Sequence, residues 1–318
     1  MGQTTWSWLV VIYLFLGGLG AGAFLTAAFF ELSGWRDRRS FCPTCLTGAM
    51  ISGPAVALGS VLLIFDLGAG KVQPWRMIYL FTNVQSVMTW GIWILCLFIP
   101  VAFLYGFLEL MEAEPFLKGL VSARLPWLAE NARRLRRRLA IAGSVLAIGT
   151  AVYTGVLISA VGPAIPLWSQ PLLPFLRIPI MPILFLVSAV STGLALTFDL
   201  AATIAIPHAH QEIRVMPVVH IILIGLENIL IGLLLITALY SGGAAAESVR
   251  LILTGPLSVV FWVGIVVVGL IYPIVVHIYA LGARHHSLLS GVTSGVGIVL
   301  AGLFLRYLIV TAGMPASL

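Results

Sequence analysis

Charge is what this sequence most conspicuously lacks. Asp, Glu, Lys and Arg make up 9% of its 318 residues, where a soluble domain carries roughly a quarter. That shortage excludes a water-facing surface over most of the perimeter, so lipid is the expected solvent. Cysteine is scarce too. Cys42, Cys45 and Cys96 are too few for a disulfide framework or a four-thiolate iron–sulfur cluster within the chain. Strict apolar–polar alternation over strand-length segments is missing, which argues against a membrane barrel. No Walker, dinucleotide-binding or hydrolase motif occurs. The opening Met-Gly-Gln-Thr-Thr-Trp has no basic region, so the first apolar span is expected to be a permanent helix and not a cleaved signal.

What is present is long apolar sequence. The chain is 60% hydrophobic with a mean hydropathy of +1.10. In lipid every backbone N–H and C=O needs an internal partner, which leaves helices as the spanning form. Runs long enough to cross ~30 Å of hydrocarbon predict an all-α integral membrane protein of about eight helices. They fall near residues 7–30, 47–67, 83–108, 139–161, 181–204, 217–239, 256–281 and 288–312. Prolines 54, 217, 256 and 273 fit helix starts or kinks.

The net charge of +6 lies in the connections, which reports topology and not a nucleic-acid partner. Arg36, Arg38 and Arg39 fall in the first loop. Lys118, Arg124, Arg133, Arg134, Arg136, Arg137 and Arg138 fall in the third, Arg214 in the fifth and Arg284 in the seventh. The even loops together hold Lys71, Arg76, Arg177 and Arg250. Odd loops are therefore expected to be cytoplasmic and both termini non-cytoplasmic, with Trp6, Trp8, Trp75 and Trp168 at the outer boundary. Glycine and alanine at 17, 18, 20, 21 and 22, and again glycines at 291 and 295, predict close helix packing.

Ionisable side chains at bilayer depth cost a few kcal/mol and are functional suspects. With the orientation above, Tyr13, Asp66, Asn83, Gln85, Ser86, Tyr153, Thr154, Ser159, Arg306 and Tyr307 come from five helices and share the outer half. Together they could supply donors and acceptors to one pocket. Asp66 with Arg306 reads either as a structural ion pair or as part of that site. Tyr13 and Tyr153 read either as packing residues with satisfied hydroxyls or as ligand contacts. A second set lies deeper: His220 and Glu227 seven apart on one face, Ser188, Thr192 and Asp199 down the preceding helix, and His277. These could pass protons or act as interhelical hydrogen-bond glue. His220 and His277 are also the one pair placed for bis-His haem ligation. His208, His210, His285 and His286 fall in loops. Cys42-Pro-Thr-Cys45 has no second pair to complete a metal site, and its cytoplasmic placement predicts two inert thiols.

The succession Trp8-x4-Tyr13-Leu-Phe-Leu-Gly-Gly-Leu-Gly-Ala-Gly, then Asp66 to Trp93 (with Arg76, Phe81, Asn83, Ser86, Met88 and Gly91), Tyr153 to Ser159, Pro166-Leu-Trp168, Pro182 to Gly193, and Leu303 to Tyr307 resembles the NrfD/PsrC family. These are membrane subunits of polysulfide-reductase-type complexes. The resemblance covers nearly the whole chain as a single domain over 1–318, with halves near 1–161 and 181–318. It implies two four-helix bundles in a bacterial or archaeal cytoplasmic membrane, with no haem or iron–sulfur cluster in the chain. It also implies electron exchange between menaquinone or ubiquinone and a four-cluster ferredoxin-like iron–sulfur partner, and beyond that a molybdopterin catalytic subunit. The quinone headgroup in such subunits lies near the outer face, where Tyr13, Asp66, Asn83, Tyr153, Ser159 and Arg306 are expected. Family members often carry His where Tyr13 stands; a tyrosine can hydrogen-bond a carbonyl but does not shuttle a proton near neutral pH. Glu227, His220 and Asp199 would form a proton conduit. A secondary transporter using intramembrane carboxylates, or a purely structural anchor, are the competing readings.

Overall fold

A computed structural model describes residues 6–34, 42–66, 79, 81–173, 176–204, 216–282 and 288–316. Arg36, Arg38, Arg39, Lys71, Trp75, Arg76, His208, His210, Arg214, Arg284, His285 and His286 lie outside those residues, as does the side chain of Arg177. Among the described residues, eight helices are long and apolar enough to cross a membrane. They are α1 (Trp8–Leu32), α2 (Pro43–Asp66), α3 (Val87–Ala113), α5 (Pro126–Ser159), α6 (Ile180–Ile204), α7 (Met216–Ser241), a seventh span, and α10 (Leu288–Ala312). The seventh begins as a π helix, Val260–Ile271, and continues as α9, Tyr272–Gly282. Pro273 at that junction has no N–H to give the preceding turn. Two short helices lie between spans: α4 (Pro115–Arg124) and α8 (Gly243–Leu253).

Two expectations about boundaries change. The third span starts at Val87, so Asn83 and Gln85 precede it in an exposed turn. The third connection is no loop: residues 115–124 form α4, and α5 begins thirteen residues ahead of the expected 139. A helix of 34 residues is about 50 Å long, more than the hydrocarbon needs, so its first three turns stand clear of the apolar layer. Arginine and alanine favour helix wherever no packing decides.

Helices α1 and α6 are the most enclosed spans. Helix α1 packs on α2, α5, α6 and α10, while α6 also meets α2, α5, α7 and α10. Their backbones touch. A Cβ on Gly22 would stand 1.8 Å from the Ala189 carbonyl oxygen, and one on Gly193 would stand 2.2 Å from the Gly22 carbonyl carbon. Lipid provides no hydrophobic drive between helices, so this close approach and its dispersion contacts hold the pair together. The Thr47 hydroxyl donates to the Thr197 carbonyl at 3.1 Å and ties α2 to α6.

The two ends of the molecule are closed differently. At the end carrying the termini, a short antiparallel hairpin pairs Pro171–Leu173 with Leu176–Pro179. Beside it Trp168 is fully buried, donating from its indole to the Ile309 carbonyl at 2.8 Å and meeting Trp6 edge-on. Trp168 is thus a core residue and not a lipid-facing boundary ring. At the opposite end Arg136 is buried against Glu31 of α1 at 3.1 Å, Glu109 of α3 at 3.5 Å, and Glu112. Charge patterning groups Arg136 with the solvated loop charges; the early start of α5 turns it inward instead. Cys42 and Cys45, expected as free thiols, form a disulfide at the start of α2, buried among Phe30, Leu194 and neighbouring side chains. C-x-x-C spacing on the first turn of a helix brings the two side chains together.

Candidate functional site

Tyr13 of α1 and Tyr153 of α5 meet in the interior. Tyr13 is fully buried and Tyr153 nearly so. Their phenols approach one another, and among the described residues neither hydroxyl has a further hydrogen-bond partner. Glycines from two further helices make the space. The Tyr153 ring lies directly on Gly91 of α3, where a Cβ would stand 1.8 Å from its Cζ. The Tyr13 ring lies over Gly59 of α2, 3.5 Å from a Cβ there, and flanks Gly17 of its own helix. A bond between the two still leaves one buried donor unmet, which costs about 1–3 kcal/mol. The arrangement suits an oxygen acceptor held between two phenols.

The remaining members of the expected outer site divide. Asp66 ends α2, half-buried, and accepts from the hydroxyl of Ser7, which also caps α1 by accepting from Leu9 N–H at 3.1 Å. Six residues of helix separate Ser7 from Tyr13, about 9 Å of rise. Ser159 closes α5 with its hydroxyl donated to the Gly155 carbonyl at 3.0 Å. Asn83 is exposed ahead of α3.

Arg306 does not pair with Asp66, contrary to the expectation from depth. Its guanidinium is fully buried and donates to the Ser188 hydroxyl, the Gly302 carbonyl at 3.0 Å and the Phe185 carbonyl at 3.5 Å. Glu227 of α7 lies near enough to interact with its charge, and Ser188 neighbours both. Depth along a helix is readable from sequence, but the direction a side chain takes around the axis is set by neighbours. Arg306 faces α6 and α7 and not α2. Its Nη2 stands 3.2 Å from where a Cβ on Gly18 would be. Adjacent glycines of α1 therefore separate two polar clusters: the tyrosines beside Gly17, and the arginine beside Gly18.

From Arg306 the polar groups continue away from the termini. His220, two turns before Glu227 on α7, has its Nδ1 2.9 Å from Nε2 of His277 on α9. The Ser294 hydroxyl of α10 lies 3.4 Å from that same nitrogen. The carboxylate of Asp199 rests on Gly295, where a Cβ would stand 1.5 Å from Oδ2. So the expected Glu227, His220 and Asp199 share one half of the molecule, and Arg306 joins them there. The His220–His277 spacing is a direct hydrogen bond; imidazoles flanking a metal in line stand about 4 Å apart. Groups of three or more side chains placed to hold a metal ion are absent among the described residues. The Thr192 hydroxyl donates within its own helix to the Ser188 carbonyl at 2.8 Å, and not across helices as expected. Sequence reasoning missed Ser294 and the roles of Gly59, Gly91 and Gly295. A serine or glycine in an apolar span gives no signal until its neighbour is known.

Eight apolar spans enclosing buried phenols, carboxylates, histidines and an arginine define a multi-pass helical membrane protein with protonatable groups through its interior. Residues 1–316 match the family model described as Polysulphide reductase, NrfD, and the protein belongs to this family. It is 34% identical to the C subunit of polysulfide reductase from Wolinella succinogenes, across 97% of its own length and 94% of that protein. It is 30% identical to protein NrfD of Escherichia coli over the same shares of each. An NrfD homolog of Haemophilus influenzae is 27% identical over 86% of this protein and 83% of its own length.

Proposed function

We propose that this protein is the quinone-reactive membrane subunit of a respiratory oxidoreductase complex in a bacterial or archaeal cytoplasmic membrane. The observation that carries the reading is the pair of buried phenols, Tyr13 and Tyr153, whose hydroxyls have no partner among the described residues beyond each other. The family supports it, since a relative is named as a subunit of polysulfide reductase. A four-cluster ferredoxin-like iron–sulfur subunit would dock at the termini end, and a molybdopterin subunit behind it. The exposed basic residues of α4 and α5 favour a cytoplasmic position for the opposite end. Helices α1, α2, α3 and α5 would then form one bundle, and the remaining four spans a second.

A bound quinol supplies two electrons and two protons. Tyr13 and Tyr153, their rings seated on the glycines of α2 and α3, would hydrogen-bond its oxygens. Asp66, oriented by Ser7, would take up a proton on the way to the termini side. Asn83, ahead of α3, and Ser159, closing α5, would meet the ring on its approach at the termini end. The second cluster would serve proton movement: Glu227 held by Ser188 and Arg306, then His220, His277 and Asp199 toward the cytoplasm. Arg306 belongs with this conduit and not with the ring.

The test is quinol oxidation by the purified complex. Tyr153→Phe removes one donor and should lower turnover by roughly 100-fold while the complex still assembles. Normal oxidation by both Tyr153→Phe and Asp66→Asn complexes removes the site assignment. For the conduit, liposomes with Glu227→Gln complex should release fewer protons per quinol; wild-type release removes that role. The transporter reading draws on the same intramembrane carboxylates, and it would prevail if the protein purified alone, without quinone, and showed substrate-dependent flux.

A further inference from the structure

The third connection carries six exposed basic residues: Lys118, Arg124, Arg133, Arg134, Arg137 and Arg138. Positive-inside bias accounts for their side of the membrane but not for their placement on the helix. That placement is set by Arg136. Buried among Glu31, Glu109 and Glu112, it locks the rotation of α5 where the helix leaves the apolar layer. Residues two positions to either side then point the opposite way, since each step turns 100°. Arg134 and Arg138 fall on that outward side, one turn apart.

The same outward strip continues down the helix as Ile141, Val145 and Ile148, exposed to 54%, 68% and 45%. All five residues lie within a sector about 80° wide. Nothing else among the described residues covers these apolar side chains, so they face acyl chains. Arg134 stands about 10 Å above Ile141 and Arg138 about 5 Å above it, which is headgroup depth. Helix α4 packs on a different face of α5, against Ala132, Leu135 and Leu139. Val121 turns inward against Leu108, Met111 and Ala132, while Phe116, 84% exposed, and Leu120, 40% exposed, lie one turn apart on its outer side. An apolar strip ending in a basic residue, here Arg124, is the pattern of a helix resting in the interface.

We propose that the first turns of α5 form a binding site for an anionic phospholipid headgroup, with Arg134 and Arg138 as its phosphate ligands and Ile141 against its acyl chains. Two guanidinium forks one turn apart match phosphate oxygens bidentately. Charge complementarity selects phosphatidylglycerol-type lipids over phosphatidylcholine, whose choline cancels the phosphate charge. Opposing carboxylates nearby are Glu130, on the same sector, and Glu114 at the start of α4; both are exposed. Glu112 is engaged by Arg136. The exposed basic residues outnumber them.

The experiment reconstitutes the intact complex into nanodiscs containing phosphatidylcholine and phosphatidylglycerol in equal amounts. Native mass spectrometry then counts the lipids retained after the disc is stripped. Wild-type protein should retain phosphatidylglycerol severalfold over phosphatidylcholine. A basic residue at an anionic surface is worth about a fivefold change in affinity, so Arg134→Gln with Arg138→Gln should abolish the preference, and the double lysine variant should keep part of it. Quinol turnover should be unchanged in the glutamine variant, which separates this site from the tyrosine pair. Equal retention of the two lipids by wild type, or an undiminished preference in the double glutamine variant, overturns the proposal. So does salt-sensitive capture of an acidic soluble protein by these arginines without lipid preference.

Discussion

Gly91→Ala is the sharpest perturbation the tyrosine site offers. The new methyl carbon would lie 1.8 Å from Cζ and 2.2 Å from both Cε atoms of Tyr153. Ordinary carbon contacts need about 3.5–4.0 Å, so the ring end must retreat by roughly 2 Å, or α3 and α5 must part. Either response moves the Tyr153 hydroxyl out of register with Tyr13. Misplacement by about 1 Å can cost 10²-fold in rate, and overpacking costs about 1–3 kcal/mol in stability. The expected outcome is an assembled complex with quinol turnover reduced at least as far as in Tyr153→Phe. Because the effect runs through the displaced phenol, the double variant Gly91→Ala with Tyr153→Phe should oxidise quinol about as fast as Tyr153→Phe alone. Gly149→Ala is the control: its Cβ would meet Ile94 at 3.6 Å, an ordinary contact, and turnover and melting temperature should hold. Normal turnover in Gly91→Ala, or losses that multiply in the double variant, would refute the reasoning.

Three further outcomes follow from packing. Arg136→Leu leaves the carboxylates of Glu31, Glu109 and Glu112 facing one another without their shared cation, and breaking a buried pair costs about 3–5 kcal/mol; thermal unfolding in detergent should show a large drop, and a loss below about 1 kcal/mol would mean the charges are solvated. Gly295→Ala puts a methyl where the Asp199 carboxylate rests; proton release per quinol should fall as in Glu227→Gln while quinol oxidation in detergent persists, and intact proton release would separate Asp199 from the conduit. Gly22→Leu drives a side chain into the Ala189 backbone and should abolish stable insertion or assembly, seen as loss of the complex on size exclusion. Recovery of a normal complex from Gly22→Leu would mean α1 and α6 are not in backbone contact.

Much of the site is legible in the sequence as a set of residues and little of it as a set of contacts. Tyr13 and Tyr153 stand out because phenols inside apolar spans need partners, and the structure brings them together. Arg306 stands out for the same reason, but depth suggests the wrong partner: Asp66 shares its depth, whereas Glu227 shares its side of the bundle. His220 and His277, readable from sequence only as a conceivable ligand pair, meet in a direct hydrogen bond, since their separation depends on how closely α7 approaches α9. Arg136 looks like one more loop charge in a run of five arginines within six residues. Only the continuation of α5 past the membrane turns it alone inward.

Composition and the pattern of apolar runs determined the solvent, the helical spans and their number, because unpaired backbone in lipid is too costly, the alternation a barrel needs is missing, and length decides what can cross. Helix rotation and contact belong to tertiary structure. Which glycine accepts which ring, and which acid meets which base, depends on side chains from distant parts of the sequence filling the same few ångströms. No periodicity within a single span encodes that.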